Sequence, residues 1–203
     1  MKCLVTSCLA LGAACAAHAQ TATVQVSHDR SGGVVLPGET IRVTARITWT
    51  PFMQWAGLKG NLEAESDLGV ASGIGSDFFH YQGPLVSFGV PVGGSVKGVD
   101  IASIPGFFSA TWPIPFGNWN GVNFLWYDWT APSVTEPRAI AFDFVADPIA
   151  PNVRLYPTQT SPAFVEAQTT YIGTSILVLP APGGVLIIGA AGLASARRRR
   201  APG

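Results

Sequence analysis

The chain has 203 residues, about one domain once terminal signals are set aside, and only 12 % of its residues are charged. Low charge, 10 % aromatic residues, 23 glycines and 16 prolines argue against a disordered chain and favour a loop-rich β fold. Residues 20–179 contain seven scattered basic and twelve acidic side chains, a net charge of −5, so this segment is a poor candidate for nucleic-acid binding.

The N-terminus carries the pattern of a secretory signal peptide. Lys2 supplies a positive charge, an apolar stretch follows, and Ala17-His18-Ala19 matches the small-x-small cleavage site, with Gln20 as the first mature residue. The pattern predicts that residues 1–19 engage the export machinery as a signal helix and are removed by signal peptidase. A buried N-terminal helix is the alternative.

All three cysteines lie before the predicted cleavage site, at Cys3, Cys8 and Cys15. The mature domain therefore contains no cysteine. An exported domain of this kind cannot be held together by disulfides and has no thiolate for catalysis, so its stability must come from its core.

Residues 20–178 are dominated by the period-two alternation of half-buried strands. In the clearest case Ile41, Val43, Ala45, Ile47 and Trp49 alternate with polar residues. The predicted strands, separated by glycine and proline turns, are Ala22–Ser27, Ile41–Trp49, Leu58–Glu65, Leu85–Phe88, Ser95–Ile101, Val122–Tyr127, Ile140–Phe144, Val153–Tyr156, Ala163–Ala167 and Thr170–Val178. This spacing predicts an all-β fold, an antiparallel β-sandwich of jelly-roll or cohesin-like type.

The start of this domain resembles the first strands of cohesin-like extracellular sandwiches. Val24-x-Val26 leads through a Leu36-Pro37-Gly38-Glu39-Thr40 turn into Ile41-x-Val43. The resemblance covers scattered parts of residues 22–178. It implies an architecture and assigns no binding residues.

An aromatic cluster between residues 107 and 129 suggests a carbohydrate-binding surface. Trp112, Trp119 and Trp129 are interleaved with asparagine and aspartate residues that hydrogen-bond sugar hydroxyls. Exposed rings beside such groups are suited to stacking on an extracellular polysaccharide. The alternative is that the aromatic residues fill the core and cover a long loop, which is their commoner role.

Candidate catalytic groups are sparse in the mature sequence. It has two histidines, His28 and His80, and one tight acidic group of Glu63, Glu65 and Asp67. Clustered carboxylates attract calcium, but an ordinary acidic face is the favoured interpretation of these residues. Nucleophile-elbow, phosphate-loop and zinc-helix motifs are absent, so we expect no catalytic residue, metal or cofactor, with a secreted hydrolase kept as an alternative.

Residues 179–203 form a tail of three parts. The Pro180-Ala181-Pro182-Gly183 motif begins it, and the apolar stretch over 183–196 is about 21 Å long as a helix, short for a bilayer core of about 30 Å. The basic end consists of Arg197, Arg198, Arg199 and Arg200. Arginines stay on the cytoplasmic side, so the domain is expected outside, in agreement with the N-terminal signal.

The tail resembles the PEP-CTERM family of bacterial sorting signals, which combine a Pro-Glu-Pro motif, a short transmembrane helix and a basic end. In this chain Ala181 replaces the central glutamate. The resemblance implies recognition by an exosortase-like membrane protease, cleavage near the proline motif and transfer to the cell surface or extracellular matrix. A lasting C-terminal membrane anchor is the alternative. The sequence thus predicts an exported, non-enzymatic surface or matrix protein.

Overall fold

The computed structural model describes residues 20–51, 53–76, 86–102, 121–157 and 163–181. These residues form twelve strands and one short 3-10 turn, Glu65–Asp67. The strands are β1 (Thr21–His28), β2 (Val34–Val35), β3 (Thr40–Trp49), β4 (Gln54–Ala64), β5 (Val70–Gly75), β6 (Val86–Val92), β7 (Ser95–Ala102), β8 (Gly121–Thr130), β9 (Arg138–Ala146), β10 (Val153–Tyr156), β11 (Val165–Ile172) and β12 (Thr174–Val178).

The strands form two facing sheets joined through β11. The first sheet runs β5-β8-β3-β1-β11, and the second runs β6-β7-β4-β9-β12, with β10 beside β4 and β2 beside β12. Residues 165–167 of β11 pair with β10 in the second sheet, whereas residues 168–172 pair with β1 in the first. One strand therefore closes the side of the sandwich by belonging to both sheets.

Alternation along the strands builds the core. In β3, Ile41, Val43, Ala45, Ile47 and Trp49 are buried, as their spacing predicts. Aromatic rings connect the two sheets: Trp129 of β8 meets Phe142 of β9 edge-to-face at 5.1 Å, and Phe124 meets Phe144 at 5.5 Å. Edge-to-face pairs of this kind stabilise a core beyond the area that they bury.

The all-β prediction is confirmed, but the sandwich is not purely antiparallel. β1 pairs with β11 and β2 pairs with β12 in parallel. The predicted strands 163–167 and 170–178 are instead divided at Gly173, where an added Cβ would collide with the Asp143 carboxylate. The sequence prediction also missed β2 and β5, because a two-residue strand and a glycine-containing edge strand carry little alternation.

The predicted signal helix and the predicted apolar span of the tail lie outside the described residues. Within the described ranges, no helix has the length and apolar character needed to cross a bilayer.

The chain enters and leaves the sandwich at opposite ends. At the entry end, Gln168 N–H donates to the Gln20 carbonyl, and at the exit end Leu179 N–H donates to the Val35 carbonyl. β11 and β12 run in one direction between these points. At a rise of about 3.3 Å per residue, Gln168 and Val178 are roughly 33 Å apart along the strand direction.

Candidate functional site

Trp129 lies in the core and is not available as a sugar platform. Its side chain is fully buried, and its Nε1 donates a 2.8 Å hydrogen bond to the Leu68 carbonyl. The prediction that Trp129 stacks on carbohydrate is therefore wrong, because the alternation of β8 turns this ring inward. The other two predicted platform residues, Trp112 and Trp119, lie outside the described residues.

The described part of the aromatic cluster serves mainly for packing. Phe124 and Tyr127 are fully buried, and the Tyr127 hydroxyl donates to the Gly94 carbonyl at 2.9 Å. Burial raises the pKa of Tyr127 well above its usual range, so this hydroxyl stays protonated. For these two residues the packing alternative is confirmed.

Trp126 is the described aromatic residue of this stretch that points to the outer face. The Arg42 guanidinium lies 3.9 Å from the centre of its ring, and Arg42 Nε donates to Asp128 Oδ1 at 3.0 Å. The cation–π contact and the ion pair together hold the outer face of β3 against β8. Trp126 is thus engaged by this chain's own arginine.

The acidic group of Glu63, Glu65 and Asp67 is neutralised by cations. Lys97 Nζ lies 2.8 Å from Glu63 Oε1 and 3.1 Å from Asp67 Oδ1, and Arg138 Nη2 lies 3.4 Å from Glu65 Oε1. The ammonium of Lys97 thus occupies the place between two carboxylates that a calcium ion would need. The acidic-face interpretation describes these residues.

Hydrogen bonds fix the charged forms in this group. The Ser95 hydroxyl donates to Asp67, and this bond, followed by that from Lys97, holds the pKa of Asp67 below its ordinary value. Burial opposes the charge of Lys97, but the hydrogen bonds to Glu63 and Asp67 outweigh it and raise its pKa. The arrangement suits a structural ion pair and is unsuited to proton transfer near neutral pH.

Other carboxylates of the described region also have structural partners. Glu39 accepts hydrogen bonds from the Leu36 backbone N–H at 2.8 Å and from Arg30 at 3.1 Å, and these bonds lower the pKa of Glu39. His28 Nε2 lies 3.2 Å from the Ser175 carbonyl oxygen, and His80 is outside the described residues. Within the described ranges, no three His, Cys, Asp or Glu side chains gather as metal ligands.

The proposed sorting motif begins where the sandwich ends. Val178 is buried in β12, Leu179 N–H still pairs with Val35, and Pro180 and Ala181 follow, with Ala181 exposed. The remaining predicted signal residues lie outside the described part: Ala17, Ala19, Pro182, Gly183, Arg197, Arg198, Arg199 and Arg200. Gln20 lies at the opposite end of the sandwich, bonded to Gln168.

Sequence reasoning missed the cations that complete these groups. Lys97 and Arg138 are distant from the acidic group in sequence, and only the pairing of β4 with β7 and β9 brings them together. The outward phase of β7 does place Lys97 on the solvent face, but alternation carries no information about which strand lies beside it.

No protein-family model matches the chain, and no curated protein matches it. Similar solved structures are cohesins of Acetivibrio cellulolyticus. The sixth cohesin of scaffoldin B, solved in complex with a dockerin, has a TM-score of 0.45 and 10 % identity, covering 80 % of this chain and 99 % of that one. A type II cohesin domain from the cellulosome has a TM-score of 0.42 and 11 % identity, covering 78 % and 95 %. The second type II cohesin module of the adaptor scaffoldin ScaA has a TM-score of 0.45 and 14 % identity, covering 77 % and 97 %.

Proposed function

We propose that the chain is an exported, non-enzymatic protein of the cell surface or extracellular matrix, delivered by its N-terminal signal and sorted by its C-terminal tail. The observation that carries the proposal is the position of the tail. The last sandwich hydrogen bond is made by Leu179, and the Pro180-Ala181-Pro182 motif follows immediately. A membrane protease therefore meets the motif directly outside a folded domain.

The domain itself supports a structural role. Several of its described carboxylates accept hydrogen bonds that fix loops and strands: Glu39 accepts from the Leu36 backbone N–H, and Asp67 accepts from the Ser95 hydroxyl. Groups held charged in this way are poor general acids. In this proposal the domain is a stable β-sandwich that is exported from the cell and held at the surface through its C-terminal end.

Mass spectrometry of the protein isolated from its own cells tests this proposal. We expect a mature N-terminus at Gln20 and a C-terminus near Pro180–Gly183, with Arg197–Arg200 lost. Changing Pro180 and Pro182 together to alanine should leave the tail attached and the protein in the membrane fraction. A mature protein that keeps the arginines would show a lasting anchor, and one that keeps residues 1–19 would overturn export by this signal.

A carbohydrate-binding module is the second candidate, now resting on Trp112 and Trp119. One observation favours it. Ala102 and Gly121, which flank residues 103–120, lie at the entry end of the sandwich, because Ala102 pairs with Gly57 and Gly121 with Thr48. The entry end of the sandwich is opposite the C-terminal tail. If the protein is attached to the surface through this tail, the entry end faces away from the surface.

A glycan array tests the second candidate. Binding that disappears with Trp119→Ala, while near-ultraviolet circular dichroism stays that of the folded protein, would support it. Trp126→Phe is the matched control, since Trp126 lies on the outer face of β8 against Arg42. Equal binding by the Trp119→Ala protein would eliminate the aromatic segment as the binding surface.

A further inference from the structure

The outer face of the second sheet has a depression that no sequence motif predicts. Its volume is about 350 Å³, and it lies between the entry-end halves of β4 and β7 on one side and the loop before β10 on the other. The polar side chains around it are Lys59, Ser87, Asp100, Asn152 and Arg154. This volume is near the lower end of the range for small-molecule sites, about 300–1,000 Å³.

Small residues create the depression. Gly57 and Ala102 face each other across the β4–β7 pair and form its floor. A Cβ added to Gly57 would lie 2.6 Å from the Ile101 carbonyl oxygen, so the two strands approach closely only because this residue is glycine. The floor is consequently part of the fold and is present without any ligand.

The two cations beside the depression, Lys59 and Arg154, differ in their partners. Lys59 Nζ and Asp100 Oδ2 are paired at 2.6 Å on the β4–β7 side. On the opposite side the Arg154 guanidinium lies 4.9 Å from the centre of the Phe164 ring, and no described carboxylate comes within ion-pair distance of it. Glu166, its neighbour across the β10–β11 ladder, instead accepts a hydrogen bond from Asn152.

The donors and acceptors around this cation suit a ligand with both a carboxylate and hydroxyl groups. An arginine guanidinium binds a planar carboxylate through two parallel hydrogen bonds. Asp100 offers an oxygen acceptor, Lys59 offers donors, and the Asn152 carbonyl oxygen offers another acceptor. A densely charged anion such as phosphate would be repelled by the Asp100 carboxylate. A sugar acid has a single carboxylate for Arg154, and its hydroxyls can donate hydrogen bonds to Asp100.

From this arrangement we propose that the depression binds a uronic-acid unit of an acidic polysaccharide, with Arg154 holding the sugar carboxylate and Lys59 and Asp100 meeting ring hydroxyls. The site stands on described strands of the second sheet and is independent of Trp112 and Trp119. It goes beyond the proposed function, since sorting by the tail neither requires it nor follows from it.

Calorimetric titration of the full chain in detergent micelles with trigalacturonic acid tests the proposal. We expect binding of this trimer and none of neutral galactotriose. Arg154→Gln should weaken the binding at least about tenfold, because a charged hydrogen-bonded pair is lost. Ala102→Leu should also weaken it by filling the floor while leaving every charge in place.

Arg46→Gln is the matched control, since Arg46 is an exposed arginine on the outer face of the first sheet. Its affinity for the acidic trimer should equal that of the unchanged protein, and circular dichroism should show all variants folded. Unchanged affinity in Arg154→Gln, equal binding of the neutral trimer, or equal binding of a triglutamate peptide would each overturn the proposal. These outcomes leave the mass of the mature tail, and hence the proposed function, unaffected.

Discussion

The indole Nε1 of Trp129 donates a 2.8 Å hydrogen bond to the carbonyl oxygen of Leu68. This bond joins the C-terminal end of β8 to the loop before β5. This loop follows Ser66 and Asp67, which adopt left-handed backbone conformations with φ of 54° and 53°. The buried indole therefore satisfies a carbonyl in a segment that is conformationally costly.

Replacing Trp129 with phenylalanine should lower the free energy of unfolding by about 1–3 kcal/mol, because the Leu68 carbonyl loses its partner in a partly buried site. Urea denaturation followed by circular dichroism measures the change. Trp126→Phe is the control, since that ring lies on the outer face and phenylalanine keeps a surface for Arg42. Equal losses in the two variants would contradict a special role for the Trp129 hydrogen bond.

Gly94→Ala should destabilise the protein more than Gly98→Ala. A Cβ at Gly94 would collide with the Leu68 carbonyl and lie 2.8 Å from Trp129 Nε1, whereas Gly98 has open space around it and a φ of +74°. Overpacking costs about 1–3 kcal/mol, and a left-handed alanine about 1–2 kcal/mol. Melting temperatures of the two variants, compared under one buffer condition, give the order. A larger loss of melting temperature for Gly98→Ala would show that the turn at Gly94 accommodates the contact between an added Cβ and the Leu68 carbonyl.

Stability should decline in acid through Glu39 and Asp67. Their pKa values in the folded protein lie below the ordinary values of 4.5 and 3.8. Their contribution is therefore complete above these ordinary values and is lost as the pH falls through the lower folded-state values. Both carboxyls are solvent-exposed, so added salt should reduce the effect.

Denaturation midpoints measured from pH 7 to pH 2 check this dependence. A protein carrying both Glu39→Gln and Asp67→Asn should be less stable at pH 7 and should lose less stability over the acidic range than the unchanged protein. An identical decline in the double variant would assign the acid sensitivity to other groups.

The opposite positions of the two chain ends are measurable with spin labels. With Cys3, Cys8 and Cys15 changed to serine, labels at Thr21→Cys and Ala181→Cys should be roughly 40 Å apart, from the strand rise along β11 and β12. The control pair is Thr21→Cys with Thr50→Cys, whose native hydroxyl oxygens are 3.4 Å apart. A short distance for the first pair would contradict entry and exit at opposite ends.

The sequence by itself determined most of the strands and the inward faces of most of those. In β3 every second residue is apolar, and the same residues are buried, because the side-chain period of a strand is set by its backbone. It also determined the β10 boundaries, Val153–Tyr156, since turn residues flank that short apolar run. The terminal signals remain sequence predictions, as they lie largely beyond the described residues.

Only the tertiary structure decided which strands are neighbours, and with that the role of the candidate site residues that lie within the described ranges. Trp129 became a core residue because β8 faces β9, and the acidic group acquired Lys97 and Arg138 because β7 and β9 pair with β4. The proposed uronic-acid site likewise depends on Gly57, Ala102 and Arg154 meeting across three strands. Alternation specifies the face of each residue, whereas pairing partners depend on the packing of the whole chain.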